Sequence, residues 1–492
     1  MGEDIADITK KLDNLLSAFV FSSGMAFRLV ENVYFIKFVN LLCKINFEYK
    51  PMCRQTLAKT CLYNIHDIIV EQKKLFLQNT PSVLMADGWK NSVANKKYFV
   101  FGLSNIHLPM AFLGFADISL EREDGETLRK YFNTAIDYAK ATYGTDVYAI
   151  NTDNDSTIVC GGRQAISADG KKMMQVTCLS HSSHLFMKDT ADPDFVKDMR
   201  EIISNFRDTT LQNAVKKLGG SKIKTLSETR FGYVRDICEC LLNNFKYFKQ
   251  VADDDRLVEK IKPNVLQKLL DEDFEQKMKE LVKLFTPVCK FMNKCQDPRF
   301  TIAEATQFWL QIKLPIENYS DLNKNFINNT FNARTEKALK SPMLAANLLH
   351  PQYQGSLLTQ MQKDKAMQFL NETLNDVEQA ELTHYFRNKN SFAIYKENCS
   401  SAIDYWTWCS FTLPNLSKFV ITLLLIPAST AQLEGVFSQW QFIHNDYKGN
   451  MSNETSGSLI DIYHTLKYIN FEDGSFIKSE PRKRKHLEIV EE

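Results

Sequence analysis

An excess of charge of one sign is what this chain lacks most plainly: in 492 residues, 60 Lys and Arg stand against 59 Asp and Glu, a formal net charge of +1. A strongly basic chain signals a nucleic-acid partner through its overall field. This balance removes that signal, so any DNA contact must rest on local charge. Long apolar runs are missing as well. The longest, 419–427, is broken by Thr422 and falls well short of the roughly 18 residues a membrane-spanning helix needs. The eleven cysteines are odd in number and scattered singly apart from Cys238 and Cys240, which excludes a disulfide framework and fits free thiols in a reducing compartment. Before Ser82 there is no Cys-x-x-Cys pair, only the separate Cys43, Cys53, Cys61 and His66, so no zinc finger is expected there. The first residues are acidic where a signal peptide carries a basic stretch, and no export is expected. Low-complexity tracts and internal repeats are absent. What is present, 44% hydrophobic and 12% aromatic residues, suffices for large cores, and the length allows two to four structural units.

Residues 1–78 read as a small helical unit, because Leu12, Leu15, Leu16 and Phe19, and later Leu57, Cys61, Ile65, Ile68 and Ile69, recur at helical spacing. From Ser82 the period changes. Short apolar runs at 82–87, 98–103 and 110–115 predict three strands in an antiparallel meander, followed by a helix over 125–143, a strand at 147–153, a short helix and a strand at 173–178. The order is β-β-β-α-β-α-β. Little strand signal follows until Thr407, then an amphipathic helix ends at Pro427 and a second opens at Ser429, where Ser429-Thr430-Ala431-Gln432 reads as a capping box. The expected fold is α/β with a large helical part: a helical unit (1–78), a core (79–194), an all-helical insertion (195–407), the completion of the core (408–472) and a charged tail (473–492).

Asp87 ends the first strand and Asp153 the fourth. If these strands lie side by side and parallel, both carboxylates emerge at one edge, and a third acid brought in from a helix would complete a hard-oxygen cluster able to hold two Mg²⁺ or Mn²⁺ ions. This is an RNase H-like arrangement. A single strand-end Asp is by itself far more often a turn or cap residue. Around these acids, Ala86-Asp87-Gly88-Trp89-Lys90-Asn91 and Thr152-Asp153-Asn154-Asp155-Ser156 resemble the first two acidic motifs of hAT-superfamily transposases. The segment 425–438, Leu-Ile-Pro-Ala-Ser-Thr-Ala-Gln-Leu-Glu-Gly-Val-Phe-Ser, resembles the family's C-terminal signature, with Tyr405-Trp406-Thr407-Trp408 and Leu413-Pro414-Asn415-Leu416 upstream of it. The resemblance implies that Asp87, Asp153 and Glu434 are a DDE triad and the metal ligands. Glu434 lies 281 positions beyond Asp153, which requires an inserted domain. Asp155 is a rival for the second position, ranked lower because it falls in the following turn.

By the same resemblance, Cys178 and His181 of a Cys-x-x-His segment, and Arg230 with Phe231, contact DNA, the aromatic ring stacking on an unpaired base; for Arg230 and Phe231 a core aromatic beside a salt-bridged Arg is the alternative. Cys178, His181 and His184 are also three ligands of a zinc site that lacks a fourth; a buried thiol and a locally bonded His is the alternative. Arg482-Lys483-Arg484-Lys485 resembles a nuclear localisation signal, or is a solvated tail. The apolar residues of 420–468 serve dimerisation, core packing, or both. Two departures stand out: the family's N-terminal zinc finger has no counterpart here, and its Glu-Arg is Glu434-Gly435, which puts a Gly inside a helix at about 0.5–1 kcal/mol. Two functions follow. One is a nuclear, metal-dependent transposase, cleaving and joining DNA as a homodimer or higher homo-oligomer away from membranes. The other is a domesticated, catalytically inactive DNA- or protein-binding dimer. A generic RNase H-like nuclease is a third, less family-like reading.

Overall fold

The computed structural model describes residues 5–23, 25–91, 95–168, 173–223, 232–317, 324–389, 391–392, 399–443, 451–466, 469–472 and 475–478. The chain divides into two compact units, Met1–Tyr63 and Asn64–Glu492. The first holds the helices Ile5–Ser22 and Val33–Leu42. Asn32 caps the second of these, its side-chain oxygen accepting from the amides of Tyr34 (2.9 Å) and Phe35 (3.3 Å).

The division falls at Tyr63 rather than at 78, so the helix Leu62–Leu77 belongs mainly to the second unit. There its Ile69 packs with Ile462 and Leu466 near the other end of the sequence. Lys73, 1% exposed, is the polar anchor of this contact. Its Nζ donates to both carboxylate oxygens of Asp461 (2.8 and 2.7 Å) and to the Phe112 carbonyl (2.9 Å), and lies over the Tyr143 ring. Burial alone would lower the Lys73 pKa, but the Asp461 charge more than reverses this and raises it. Asp461 is in turn held below the usual carboxylate range: burial pushes it up, and Lys73 and His66 overcome that.

A five-stranded mixed sheet is the frame of the second unit, in the order β3-β2-β1-β4-β5, with β1 Ser82–Asn91, β2 Lys96–Ser104, β3 Ala111–Asp117, β4 Val147–Thr152 and β5 Met174–Thr177. The first three form the antiparallel meander, and β4 and β5 run parallel to β1. The helix Gly125–Tyr143 crosses between β3 and β4 as the sequence predicts. Asp124 caps its start and Gly144, at φ 64°, ends it in the left-handed region.

Side chains alternate across these strands. Leu84, Ala86 and Ile150 point to the Gly125–Tyr143 helix, joining Phe99, Leu128 and Phe132 in one core. Val83, Ala149 and Val176 point the other way, into a core continuous with the helices that follow. Among the described residues every element from Pro193 to Cys409 is helical. The insertion therefore packs on the sheet and shares its core. Met85, Tyr98 and Val100 meet Leu433, Val436 and Trp440 of the C-terminal helix Ala431–Ile443 in a third core. Val420, Leu423 and Leu424 are also buried, so much of the apolar content of 420–440 is core. A separate two-stranded sheet pairs Ile469–Glu472 with Ser475–Lys478.

Breaking the Lys73–Asp461 pair from one side leaves an uncompensated buried charge. Lys73→Ala is expected to cost about 3–5 kcal/mol in a denaturant titration, and Lys73→Met combined with Asp461→Leu markedly less. Equal losses from the single and double changes would show that the ion pair is not what anchors this helix.

Candidate functional site

Ala86 pairs with Thr152 across the parallel ladder, so Asp87 and Asp153 follow at the same level. Asp153 comes just after the end of β4, whereas Asp87 does not end its strand as the sequence suggests: β1 runs on to Asn91, with Asp87 opposite Val100, because pairing with β2 continues past the last pair with β4. By alternation both lie on the face turned away from the Gly125–Tyr143 helix. Glu434 reaches this edge from the first turn of the helix Ala431–Ile443. Asp87 senses the other two: burial, followed by the charges of Asp153 and Glu434, pushes it well above the carboxylate range. Burial lifts Asp153 to about 6 and Glu434 to about 7. No Lys or Arg forms an ion pair with any of the three among the described residues.

Each carboxylate is fixed by its own neighbours. The Gly88 amide and the Thr430 hydroxyl lie near Asp87 and pull its pKa down against burial. Asp153 accepts from the Asp155 amide (3.0 Å), and its Oδ2 lies 3.9 Å from His181 Nδ1. Asp155, the rival acid, is exposed and caps the helix Ser156–Ala168 by accepting from the amides of Thr157 (2.8 Å) and Ile158 (3.2 Å). An aromatic stack braces Glu434: Trp89, two residues beyond Asp87, lies against Phe437 at 5.6 Å and 6°, and touches Trp440.

The route into the Glu434 helix differs from the expected capping box. The helix starts at Ala431, and the Ser429 hydroxyl donates to the Cys295 carbonyl (2.6 Å) while accepting from the Ala431 amide (3.3 Å). The Gln432 side-chain amide has no hydrogen-bond partner among the described residues, so the reciprocal bond of a capping box is not made. Burial of the preceding loop decides this: the Ser429 hydroxyl satisfies a distant carbonyl as well as the first amide of its helix. Thr430 and Asn151, which donates to the Pro427 carbonyl (2.8 Å), are the positioning residues that sequence reading missed. Their proximity to the triad in the sequence is the only signal they give.

Cys178 is 1% exposed and caps the helix Leu179–Thr190, its Sγ accepting from the His181 amide. Burial pushes the thiol up to about 12, so it is neither a thiolate ligand nor a surface that DNA can reach. His181 is half-buried, and burial, followed by repulsion from His184 and Arg334, lowers its pKa to about 4. It is neutral at pH 7. Arg230, Phe231 and the basic run Arg482 to Lys485 lie outside the described residues. Among the described residues no three or more His, Cys, Asp or Glu side chains stand close enough together to hold a metal ion. This holds for Cys178, His181 and His184 as well as for the three acids. The acids are nonetheless the right chemistry for a hard divalent cation: partly buried oxygen donors of one charge sign, with no Lys or Arg paired to them among the described residues.

Residues 381–466 match the hAT family C-terminal dimerisation region. Over these residues the chain is similar to hAT-superfamily transposases. No curated protein matches it. In this hAT-like chain the matched segment contains Glu434 and Asp461, and supports homo-oligomerisation. It also carries Trp408 and Phe411 at 50% and 80% exposure, in contact with one another at the surface. Among the described residues no helix is long and apolar enough to cross a membrane.

Two changes at the Glu434 helix have expected outcomes. Glu434 binds its proton more tightly folded, at about 7, than at the ordinary 4.5, so ionisation weakens the fold progressively as pH rises from 4.5 to 7. Glu434→Gln should leave the melting temperature unchanged below pH 4.5 and raise it by a few degrees above pH 7; the opposite pH dependence would refute the burial argument. Gly435 is exposed, and a Cβ there would meet nothing within 4 Å. Gly435→Ala should therefore stabilise the chain by about 0.5–1 kcal/mol, read from the midpoint of unfolding.

Proposed function

We propose that this chain acts on DNA as an hAT-type transposase-like nuclear protein. In this reading an RNase H-like core uses Asp87, Asp153 and Glu434 as a DDE triad for phosphodiester cleavage and strand transfer at transposon-end DNA. The observation that carries it is the convergence of three partly buried carboxylates, from β1, β4 and the C-terminal helix, at one end of the sheet without a Lys or Arg partner among the described residues. The strand order, with β1 beside and parallel to β4, supports the same core.

Carboxylates repel a phosphodiester, so the proposed site requires Mg²⁺ or Mn²⁺ held by Asp87, Asp153 and Glu434. Such ions supply an activated water or 3′-hydroxyl and stabilise the leaving oxygen. The chain's own contribution is placement. The Thr430 hydroxyl and Gly88 amide favour the charged form of Asp87, the Asp155 amide orients Asp153, and the Trp89–Phe437 stack holds the Glu434 helix against β1. Proton competition sets the pH range: with Asp153 at about 6 and Glu434 at about 7, cation binding strengthens as pH rises through that interval.

The second reading, a catalytically inactive DNA- or protein-binding dimer, is favoured by two observations. The matched family region is the dimerisation region, and the acids as placed do not close into a three-ligand group.

Incubating the full chain with nicked and hairpin DNA in Mg²⁺ or Mn²⁺ separates the two. Wild type is expected to cleave, with Asp153→Asn losing on the order of 10³–10⁴ of the rate. A folded wild type that yields no more product than Asp153→Asn, and whose melting temperature Mn²⁺ leaves unchanged at pH 7.5, would establish the inactive reading.

A further inference from the structure

We propose that a basic cavity between the sheet and the inserted helices seats a backbone phosphate of the DNA strand that lies at the acid edge, an inference that rests on the nucleic-acid reading above. The cavity measures about 180 Å³. Asn154, Thr177 and Ser182 line it from the core, and Arg334, Lys337 and Lys340 line it from the helix Lys324–Ala338 and the residues just after it. No Asp or Glu is among its lining residues.

The cations are not there for one another. Arg334 is bound by Asp189, which accepts from Nε (2.6 Å) and Nη2 (2.5 Å), an arrangement that fixes the guanidinium and leaves further N–H groups. Lys337 is exposed, Lys340 is half-buried, and neither has an ion-pair partner among the described residues. Burial, followed by the charge of Arg163, lowers the Lys340 pKa, so an anion in the cavity would relieve this repulsion. The helix start at Ser156 adds little, since Asp155 already occupies the amides of Thr157 and Ile158. Side-chain charge is therefore the attraction.

Position gives the cavity its role. Asn154 follows Asp153 directly, and Ser182 follows His181, whose ring lies 3.9 Å from the Asp153 carboxylate. The cavity thus borders the carboxylate edge. A polyanion needs neutralising charge next to three acids, and a phosphate held here would register the strand without reading its sequence. The Thr177 hydroxyl donates to the Ala338 carbonyl (3.4 Å), which links the core wall of the cavity to its basic wall.

The test is DNA binding by the full chain without divalent metal: fluorescence anisotropy of a labelled nicked duplex in EDTA, between about 50 and 200 mM salt. Lys337→Gln with Lys340→Gln is expected to weaken binding several-fold and to reduce the slope of log K against log salt by about 2, and Lys337→Gln alone by about 1. Lys337 is exposed, so its substitution leaves the core intact. Unchanged slopes in folded variants, or an equal change from Lys365→Gln on a different helix, would overturn the proposal. So would inorganic phosphate displacing the DNA at constant ionic strength, which would make the cavity a free-anion site. Because metal is withheld, the result is independent of cleavage. Reduced slopes in a chain that never cleaves sink the catalytic reading alone, and unchanged slopes in a chain that cleaves sink this one alone.

Discussion

Residues 426–430 run buried between the sheet and the helical body, outside any helix, and their polar groups must be answered from elsewhere. The Ile302 amide donates to the Ile426 carbonyl, and the Ala428 amide to that of Phe300, both at 3.0 Å. The Leu179 amide donates to the Ala428 carbonyl at 3.1 Å, Asn151 takes the Pro427 carbonyl, and Ser429 reaches Cys295. Five residues thus join β4, the helix after β5 and two parts of the insertion. Glu434 stands where it does because this segment can lie in only one way. The insertion, which separates the second acid from the third in sequence, is what holds the third acid beside the first in space.

Buried acids in the second unit fall into two kinds. Asp461 has a full counter-charge in Lys73 and is driven below its ordinary pKa, so it is ionised and structural. Asp87, Asp153 and Glu434 are driven above it, all three by burial and Asp87 also by the charges of the other two. Burial acts in the same direction on all four, and the presence or lack of a cation decides the sign. Such perturbation on its own also occurs in structural networks. What distinguishes the three site acids is that they come from separate elements, at the open end of a sheet, and that the fold tolerates their cost.

Much of the frame was legible because it is local. Alternation in the runs near 82, 98 and 110 marks the meander, and the 3.6 period with Asp124 and Gly144 at its ends marks the helix between β3 and β4. The adjacency of β1 and β4 was a condition that the order of elements left open; the sheet meets it, and Asp87 and Asp153 come level through it. The capping box misled because Ser429 obeys a tertiary demand that outweighs the local motif. Asn151 and Thr430 were not legible as positioning residues, since their partners lie in segments far away in sequence or on another element. The basic cavity was hidden for the same reason: Asn154 and Lys340 are 186 positions apart and meet only through packing.

The near-zero net charge with which the sequence opens takes on a different meaning once the second unit is folded. Balance over the whole chain coexists with segregation over one edge, where uncompensated carboxylates border a cavity lined by Arg334, Lys337 and Lys340. At an ionic strength that limits charge effects to about 8–10 Å, such a border matters more to an approaching phosphate than the +1 total does. Opposite fields placed side by side also keep each other in check. Neutralising the acids internally with the nearby lysines would stabilise the fold and remove both features. The helices hold them apart instead: Asp189 anchors Arg334 on the insertion side, and β1 and β4 carry the acids on the sheet side.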